Sequence, residues 1–443
     1  MRYRRTIWLA SVLLLTSVPR GWAQGVAGTI GGFLNYPVAP EMAAMGDGGV
    51  SIVTNNAMSV IANPAQLGML SMTNSLSIGT GFDMHTATQT DTPLNRNFGT
   101  AFGFRDASFS VSAVSYGARL NSLWEALPSY VGLGLQYSYE KFASQSPVTL
   151  SASPFIVGNE AEHAKAFTIG LGIHYFLRLG LGYSVKFISG ENGYYISNLD
   201  QTARDFGAIL QIPVLRHLHG SRDGSFIFGK DIQPIFNITA GYSLRNVGGY
   251  VHVVRPLSGE VPLARQANLG WNWRLAFQSR VAGFKWDWFS FTWDREAANS
   301  PFNTDSSLVT NPNGYSYWNY FWSYSSGLGS FSPWSNLIVG RGSASVAISK
   351  GWQIGLGEFL YLRGGSLTNL SQNPWSSTFP TSGWGIKLDG LVKALVFLHG
   401  LNANDSFTRF ILHHFNLEFD YCTASGGVFD TLKPFESLNL VVR

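Results

Sequence analysis

Cysteine, charge and long apolar runs are all scarce in this chain of 443 residues. The single cysteine, Cys422, excludes an intramolecular disulfide and a lipid-bearing cysteine beside the N-terminal apolar run. Neither a disulfide-stapled secreted domain nor a lipoprotein therefore fits. Charged residues make up only 13% of the chain, about half the share of an average soluble protein. After residue 23 no apolar run approaches the roughly 18 to 20 residues of a spanning helix, which excludes a helical membrane protein.

The N-terminal residues have the pattern of a secretory signal peptide. Arginines at positions 2, 4 and 5 precede an apolar run over residues 6–18, and Gly21 and Ala23 supply the small residues that a signal peptidase reads. Cleavage after Ala23 is therefore predicted, so that the mature chain begins near Gln24.

The basic balance of the chain comes from that leader. The full sequence carries 30 basic and 26 acidic side chains, with a pI of about 9.0. Residues 1–23 contain four arginines and no acid, so the remaining chain has 26 side chains of each sign. No basic run is interleaved with aromatic residues either, and the sequence predicts no nucleic-acid partner.

Alternation of apolar with small or polar residues is abundant. Large apolar side chains such as Phe167, Ile169 and Leu171 occupy every second position, with Thr168 and Gly170 between them. This pattern predicts strands with one apolar and one polar face, which a soluble sandwich would share. The composition favours a membrane protein over a soluble sandwich, because the chain has few charged residues, 49 glycines, 14% aromatic residues and a predicted signal peptide. We predict an all-β fold, a transmembrane antiparallel β-barrel of roughly fourteen strands in a bacterial outer membrane.

Fifteen stretches are candidate strands, one more than an even-stranded barrel accepts. Residues 176–178 and 350–353 are predicted to be tight periplasmic turns, and the longer connectors 143–163, 215–233, 247–265, 295–336 and 367–382 to lie outside the cell. The candidate strands are residues 75–84, 97–104, 108–116, 130–142, 164–176, 178–188, 203–212, 234–246, 266–277, 283–294, 343–350, 353–363, 383–395, 408–421 and 437–442.

A segment ahead of the first strand lacks the wall pattern and carries two motifs. They are Met45, Gly46, Gly48 and Gly49, followed by Asn63, Pro64 and Ala65. Together they resemble the N-terminal hatch of the FadL-like outer-membrane barrels, in particular the PorV/PorQ family. Similar matches follow in order at residues 205–209, 241–248, 262–270 and 357–365, while Glu41 stands where that family usually has arginine. The predicted organisation is a signal peptide over 1–23, a hatch or plug segment in the lumen over 24–72 and a barrel over 73–443.

The hatch motif also has a physical interpretation. Asn63 before Pro64 favours an extended or capping conformation, and proline at a first helical position allows residues 65–70 to begin a short helix that plugs the lumen. Gly46, Gly48 and Gly49 allow close approach to the inner wall. An ordinary turn without a gating role is the alternative.

Two functions follow from the resemblance. A PorV-like barrel is a non-enzymatic carrier or adaptor of type IX secretion, and its partners would be the secretion translocon and cargo proteins. A FadL-like barrel instead transports hydrophobic small molecules through a hatch. Both interpretations include outer-membrane lipid as a partner, and neither needs a cofactor. A purely structural barrel is a third possibility.

The region 295–336 is unusually aromatic. A protein-partner surface centred on Trp318, Phe321, Trp322 and Trp334 is one interpretation, and an aromatic girdle at the membrane interface is the other.

Candidate catalytic chemistry is thin. No acid or cysteine lies at metal-site spacing from the histidines at positions 217, 219, 413 and 414. These histidines are therefore interpreted as solvated residues, and neither a metal site nor a catalytic site is predicted. Cys422 is interpreted as a wall residue. Lumen-facing charges of mixed sign are expected to form internal ion pairs: Lys186, Arg245, Arg274, Lys387, Glu418 and Asp420.

Overall fold

The fold was analysed in a computed structural model. The structure describes residue 34 and residues 38–85, 105–148, 156–192, 196–215, 232–253, 259–263, 265–281, 284–299, 302–310, 316–324, 328–342, 346–368, 378–398, 400–402, 405–424 and 435–443. Fourteen antiparallel strands in this part of the chain close into a barrel, as the alternation predicted. Among the described residues, no helix is both long and apolar enough to cross a bilayer.

Eighteen strands are described in all. They are β1 Ser75–His85, β2 Arg105–Arg119, β3 Val131–Val148, β4 Ile156–His174, β5 Arg178–Asn192, β6 Ile196–Pro213, β7 Ile232–Gly248, β8 Tyr250–Val253, β9 Gly259–Pro262, β10 Gln266–Val281, β11 Phe284–Asn299, β12 Phe302–Thr310, β13 Ser316–Tyr324, β14 Val346–Leu356, β15 Leu360–Thr368, β16 Thr378–Lys387, β17 Phe415–Ala424 and β18 Phe435–Val442. The hairpins β8–β9 and β12–β13 lie outside the barrel sheet, and β1 pairs with β18 to close it.

The helices are short. In the N-terminal segment they are α1 Pro40–Ala43, α2 Ser59–Ala62 and α3 Ala65–Leu70, with a 3-10 turn over Ser71–Thr73. Farther along lie α4 Leu120–Leu123, a π-helical turn over Pro333–Val339, α5 Leu388–Phe397 and α6 Ser406–His414.

Strand alternation separates a lipid-facing surface from a lumen face. On β3 and β4 the apolar side chains of Leu135 and Ile169 point outward and are exposed, whereas Gln136 and Thr168 point inward and are buried. Exposed apolar side chains on the outer face and buried polar side chains on the inner face are the arrangement of a membrane barrel.

The tight turns mark one end of the barrel, where β1 also begins and β18 ends. Short turns are the periplasmic ones in such barrels, so we name this the inner end. The turn predicted at 350–353 is wrong, because β14 runs unbroken through those residues. The chain reverses instead at Gly357 and Glu358, whose φ angles are 59° and 58°. Consecutive positive φ angles occur at the two central residues of a type I′ turn, and the Phe359 N–H closes this turn by donating to the Leu356 carbonyl at 3.3 Å.

Other predicted connectors also need correction. The segment between β6 and β7 joins strand ends at the inner end, so its predicted outside location, as 215–233, is wrong. Most of 143–163 is wall, since β3 extends to Val148 and β4 starts at Ile156. The candidate strand 97–104 lies outside the described residues, and β1 pairs directly with β2 in the barrel sheet.

Two helices at the inner end replace the ends of predicted strands. Residues 388–395 and 408–414 are helical in α5 and α6, although alternation had predicted strands through them. Val392 and Val396 are spaced one helical turn apart and pack with Ile411 on Trp286. The Asp405 carboxylate caps α6 by accepting the Phe407 and Thr408 N–H groups at 3.1 and 3.3 Å.

Candidate functional site: the plugged lumen

Residues 38–74, the hatch, lie inside the barrel. Most of its apolar side chains are almost fully buried, including Met42, Met45, Met58 and Leu67, and Val53 is exposed. The hatch contacts both the first and the last strands of the wall: Asn439 on β18 accepts the Ala57 N–H through Oδ1 at 3.4 Å. Residues 38–74 are therefore part of the folded core of the barrel.

The Asn63-Pro64-Ala65 motif starts α3 as predicted. Asn63 is extended, with φ −146° and ψ 110°, and its Oδ1 accepts the Ala65 N–H at 3.0 Å. Its Nδ2 donates to the Val50 carbonyl at 2.7 Å, which ties the helix start to the preceding loop of the hatch. One asparagine thus caps a helix and links two parts of the hatch.

Helix α3 lies on a row of glycines that we name the glycine belt. Its members pair in register across β2 to β6: Gly117, Gly134, Gly170, Gly182 and Gly207. A Cβ atom added at Gly170 would lie 2.6 Å from the Gly68 nitrogen, and one at Gly134 2.6 Å from Leu67 Cγ. Side chains at these positions would occupy the space of the helix, so the wall carries none.

The glycines of the first hatch motif also approach the wall. Gly46 has φ +80°, and a Cβ there would lie 2.8 Å from the Lys350 carbonyl oxygen. The Met45 backbone lies over Gly351 and Gly365 of β14 and β15, while Gly48 lies beside the Asp294 carboxylate. Met45 and Gly46 therefore contact β14 and β15, while Gly48 and Gly49 contact acids of β11.

Two acids of β11 hold the loop after that motif, and we name this pair the acid clamp. The Glu296 carboxylate accepts the N–H groups of Gly49 and Val50 at 2.9 and 3.2 Å, and Asp294 accepts the Ser51 hydroxyl at 2.7 Å. Burial raises the pKa of nearby Asp47 to about 7, against the opposing influence of Arg245. Three carboxyl groups therefore share this corner of the lumen with hatch backbone.

A second polar site lies under α1. Arg363 of β15 pairs with Asp420 at 2.5 Å and approaches Glu41 and Glu418 at 3.9 Å, while Lys387 pairs with Glu418 at 3.0 Å. Burial, followed by the charge of Asp420, raises the pKa of Glu41, and Arg363 opposes the shift. The carboxylates of Glu41, Glu418 and Asp420 lie close enough to share a cation, but Arg363 and Lys387 already neutralise much of their charge.

The predicted internal ion pairs are confirmed with one difference. Lys186 pairs with Asp205 at 2.8 Å, and Arg274 pairs with Asp287. Arg245 instead donates to the Leu34 carbonyl, a hatch-side contact rather than a wall pair.

Between these polar sites the lumen has an apolar sector, which sequence analysis missed. Phe109, Phe142, Ile188 and Phe435 are buried on the inner faces of β2, β3, β5 and β18. They form one cluster with Leu34, with hatch residues that include Val38, Met42, Met58 and Ile61, and with the wall residue Cys422. The period-2 pattern could have predicted this sector. The four residues occupy inward-facing positions, where a water-filled barrel has polar side chains.

The predicted partner-binding residues do not form one described site. Trp318, Phe321 and Trp322 belong to β13, and their side chains lie outside the described residues. Trp334 lies in the π-helical turn and is exposed. Residues 295–299, predicted as loop, belong to the barrel strand β11.

The histidines lie away from the lumen site. His413 packs its ring on Phe284, with centroids 4.7 Å apart, and His414 Nδ1 lies 3.2 Å from the Arg443 carbonyl oxygen. His217 and His219 fall outside the described residues.

These features define a class of protein, a plugged antiparallel β-barrel of the outer-membrane type. Solved structures with similar architecture include the toluene transporter TodX of Pseudomonas putida, at 9% identity and a TM-score of 0.42 over 95% of this chain and 98% of that one. A FadL homologue of Pseudomonas aeruginosa gives 9% identity and a TM-score of 0.41 over the same shares. A TodX mutant described as a monoaromatic hydrocarbon channel gives 10% and 0.45 over 91% and 97%. No known protein family and no curated sequence matches the chain.

Proposed function

We propose that this protein is a non-enzymatic outer-membrane transporter of hydrophobic small molecules, with the hatch as its gate. The apolar sector carries the proposal. Phenylalanine and isoleucine side chains inside a barrel remove hydrogen-bonding partners that water and ions need, and they suit an apolar solute.

The composition of the hatch supports the same function. Five of the seven methionines of the chain lie in it, at positions 42, 45, 58, 69 and 72. Methionine is flexible and polarisable, and it packs against apolar partners of varied shape. A methionine-rich surface can therefore close against the apolar sector and also contact a passing solute.

Passage requires the hatch to move, because it lies in the lumen between the apolar sector and the acid clamp. Its attachments near the acid clamp are a few hydrogen bonds to backbone groups, each with a modest net free energy of about 0.5–3 kcal/mol. Such bonds can be exchanged for water without unfolding the wall.

A reversible disulfide between the hatch and the wall tests whether the hatch must move for transport. A Cβ atom at Gly79 would lie 3.0 Å from Met58 Cγ, the place that a cysteine sulfur would take. The variant Met58→Cys/Gly79→Cys is made in a Cys422→Ser background, and uptake of a radiolabelled monoaromatic hydrocarbon by cells is measured. We expect oxidation to stop uptake and reduction to restore it, with each single-cysteine variant as control.

Two outcomes would contradict this function. Full uptake through a quantitatively oxidised barrel would mean that passage does not require the hatch to leave the wall at Met58. Absence of apolar uptake in every variant, together with co-purification of secreted proteins in mild detergent, would favour the type IX secretion carrier.

The predicted mature N-terminus near Gln24 is checked in the same preparation by N-terminal sequencing.

A further inference from the structure

Residues 328–342, which we name the wall segment, fold against the outside of the barrel. Leu337 and the partly buried Phe331 pack on outward-facing side chains of three strands: Leu269 and Trp271 of β10, Ala297 of β11, and Val346 and Ile348 of β14. These strand positions belong to the apolar face of the alternation. The wall segment therefore lies on the surface that faces lipid, near the outer end of the barrel.

Side chains of the wall fix the segment in that place. Trp271 Nε1 and Arg295 Nη1 donate to the Leu337 carbonyl at 3.2 and 2.9 Å, and Arg295 also donates to Ile338. The Tyr242 hydroxyl donates to the Leu328 carbonyl at 3.0 Å. Three outward-facing side chains are thus committed to the backbone of the segment.

The side of the segment that faces away from the wall carries four exposed apolar side chains. Trp334 is 72% exposed, Leu328 66%, Ile338 50% and Val339 48%. Next to the segment, on the side of the inner end of the barrel, Trp293 and Trp352 lie directly opposite each other on β11 and β14. This exposed apolar surface is therefore continuous with the lipid-facing belt of the barrel, which favours lipid as its occupant.

Basic side chains lie at the junction of segment and belt. Arg295 and Lys350 are directly opposite each other on β11 and β14, at positions that alternate with the inward Glu296 and Gly351. Like charges so placed repel, unless an anion joins them. Arg341 follows Gly340, where a Cβ atom would lie 2.9 Å from Cζ of Arg295, so this end of the segment lies beside the Arg295–Lys350 pair. Lys350 and Arg341 are exposed, and within the described ranges neither pairs with an acid.

From this arrangement we infer a binding site for a phosphate-bearing lipid of the outer leaflet. Lys350 and Arg341 contact the phosphate, and the acyl chains lie along Trp352 and Trp293. Trp334, Ile338 and Val339 sit in the interface beside the same lipid. The inference is independent of the transport proposal, because the site is on the outside of the barrel.

The first test measures retained lipid. The full-length protein is purified from vesicles of phosphatidylethanolamine with diphosphorylated lipid A, and bound lipid A is counted by native mass spectrometry. Each neutralised charge is expected to lower affinity about fivefold, so Lys350→Gln/Arg341→Gln should lose most of it. Lys285→Gln, an exposed lysine of β11 at the inner end, is the matched control and should retain lipid.

Two results of that test would overturn the site. Equal retention by the double variant and the control would mean that these charges do not bind lipid A. Displacement of lipid A by inorganic phosphate alone, without acyl chains, would mean a site for a soluble anion.

The second test places a probe at Trp334. The variant Trp334→Cys in the Cys422→Ser background is labelled with bimane in vesicles. Quenching by spin-labelled acyl chains, with protection from aqueous iodide, is expected. Quenching by iodide alone would place the segment in water, and protection that appears only on adding a soluble protein would assign it to a protein partner instead.

Discussion

The two sides of the lumen hold the hatch by different means. On β2 to β6 the helix α3 meets the glycine belt, and the bare wall backbone packs against the backbone and the apolar side chains of the helix. On β11 and β14 to β17 the loop 47–51 and α1 meet charged side chains, in the acid clamp and around Arg363. Packing depends on shape and is insensitive to pH, whereas the charged side responds to protonation. The first side is suited to be the fixed part of the hatch and the second to be its release.

The largest expected effect is loss of the central cation. Arg363→Met leaves Asp420, Glu418 and Glu41 buried with Lys387 alone to balance them, which should cost about 3–5 kcal/mol. Urea unfolding of the reconstituted barrel measures it. Arg409→Met, on the exposed face of α6, should change the free energy of unfolding by less than about 0.5 kcal/mol. A similar loss in both variants would mean that the charges under α1 do not stabilise the fold.

The belt should respond next. Gly170→Ala places a Cβ against α3 and is expected to cost about 1–3 kcal/mol in the same assay. Gly249→Ala is the control, because its Cβ would meet only Gln201 Oε1, at an ordinary 3.5 Å. Should Gly170→Ala be neutral, α3 would have to shift freely on the wall, and the contrast between a fixed and a releasable side would fail.

The acid clamp should show a smaller, local effect. Glu296→Ala removes the acceptor of two buried N–H groups and should destabilise the docked loop by about 1–3 kcal/mol. Hydrogen exchange at Gly49 and Val50 is expected to quicken, while α3 amides stay protected. Glu125→Ala, at an exposed site, serves as the control. Equal acceleration in α3 would show that both sides of the hatch open together.

The smallest effect is the pH dependence of Asp47. Its pKa is raised to about 7 in the docked hatch, so the docked state binds a proton more tightly than a state with Asp47 in water. The docked state is therefore favoured at low pH and loses stability as pH rises from about 4 through 7. Asp47→Asn should reduce the stability that is lost between pH 4 and 8 by on the order of 1 kcal/mol, since the side chain is only partly buried. Urea midpoints from pH 4 to 8 measure it, and identical slopes in variant and wild type would exclude Asp47 as the source.

Sequence analysis predicted what local pattern controls. Period-2 alternation predicted most wall strands, and Asn63-Pro64 predicted the start of α3. The turn at 350–353 was wrong because Gly351 looked like a turn residue, whereas it makes room for the Met45 backbone. The strand through 388–395 was wrong because alternation at Ile386 and Leu388 runs into a helix whose apolar spacing differs.

Long-range pairing decided the rest. Each glycine of the belt is visible in the sequence, but their alignment into a row depends on the register of five strands. The acid clamp joins residues about 245 positions apart, and no local rule connects them. The apolar sector likewise becomes a sector only when β2, β3, β5 and β18 curve around the hatch.

The bond between Asn439 and Ala57 links residues 382 positions apart in the chain. The hatch is synthesised before any wall strand, yet its contacts with the wall are complete only when β18 pairs with β1. Docking of the hatch and closure of the seam are therefore coupled steps, and long sequence separation makes such steps slow. A barrel that closed first would have to admit the hatch through its inner mouth, next to α5 and α6. The assembly order of this protein is thus constrained at the β1–β18 seam.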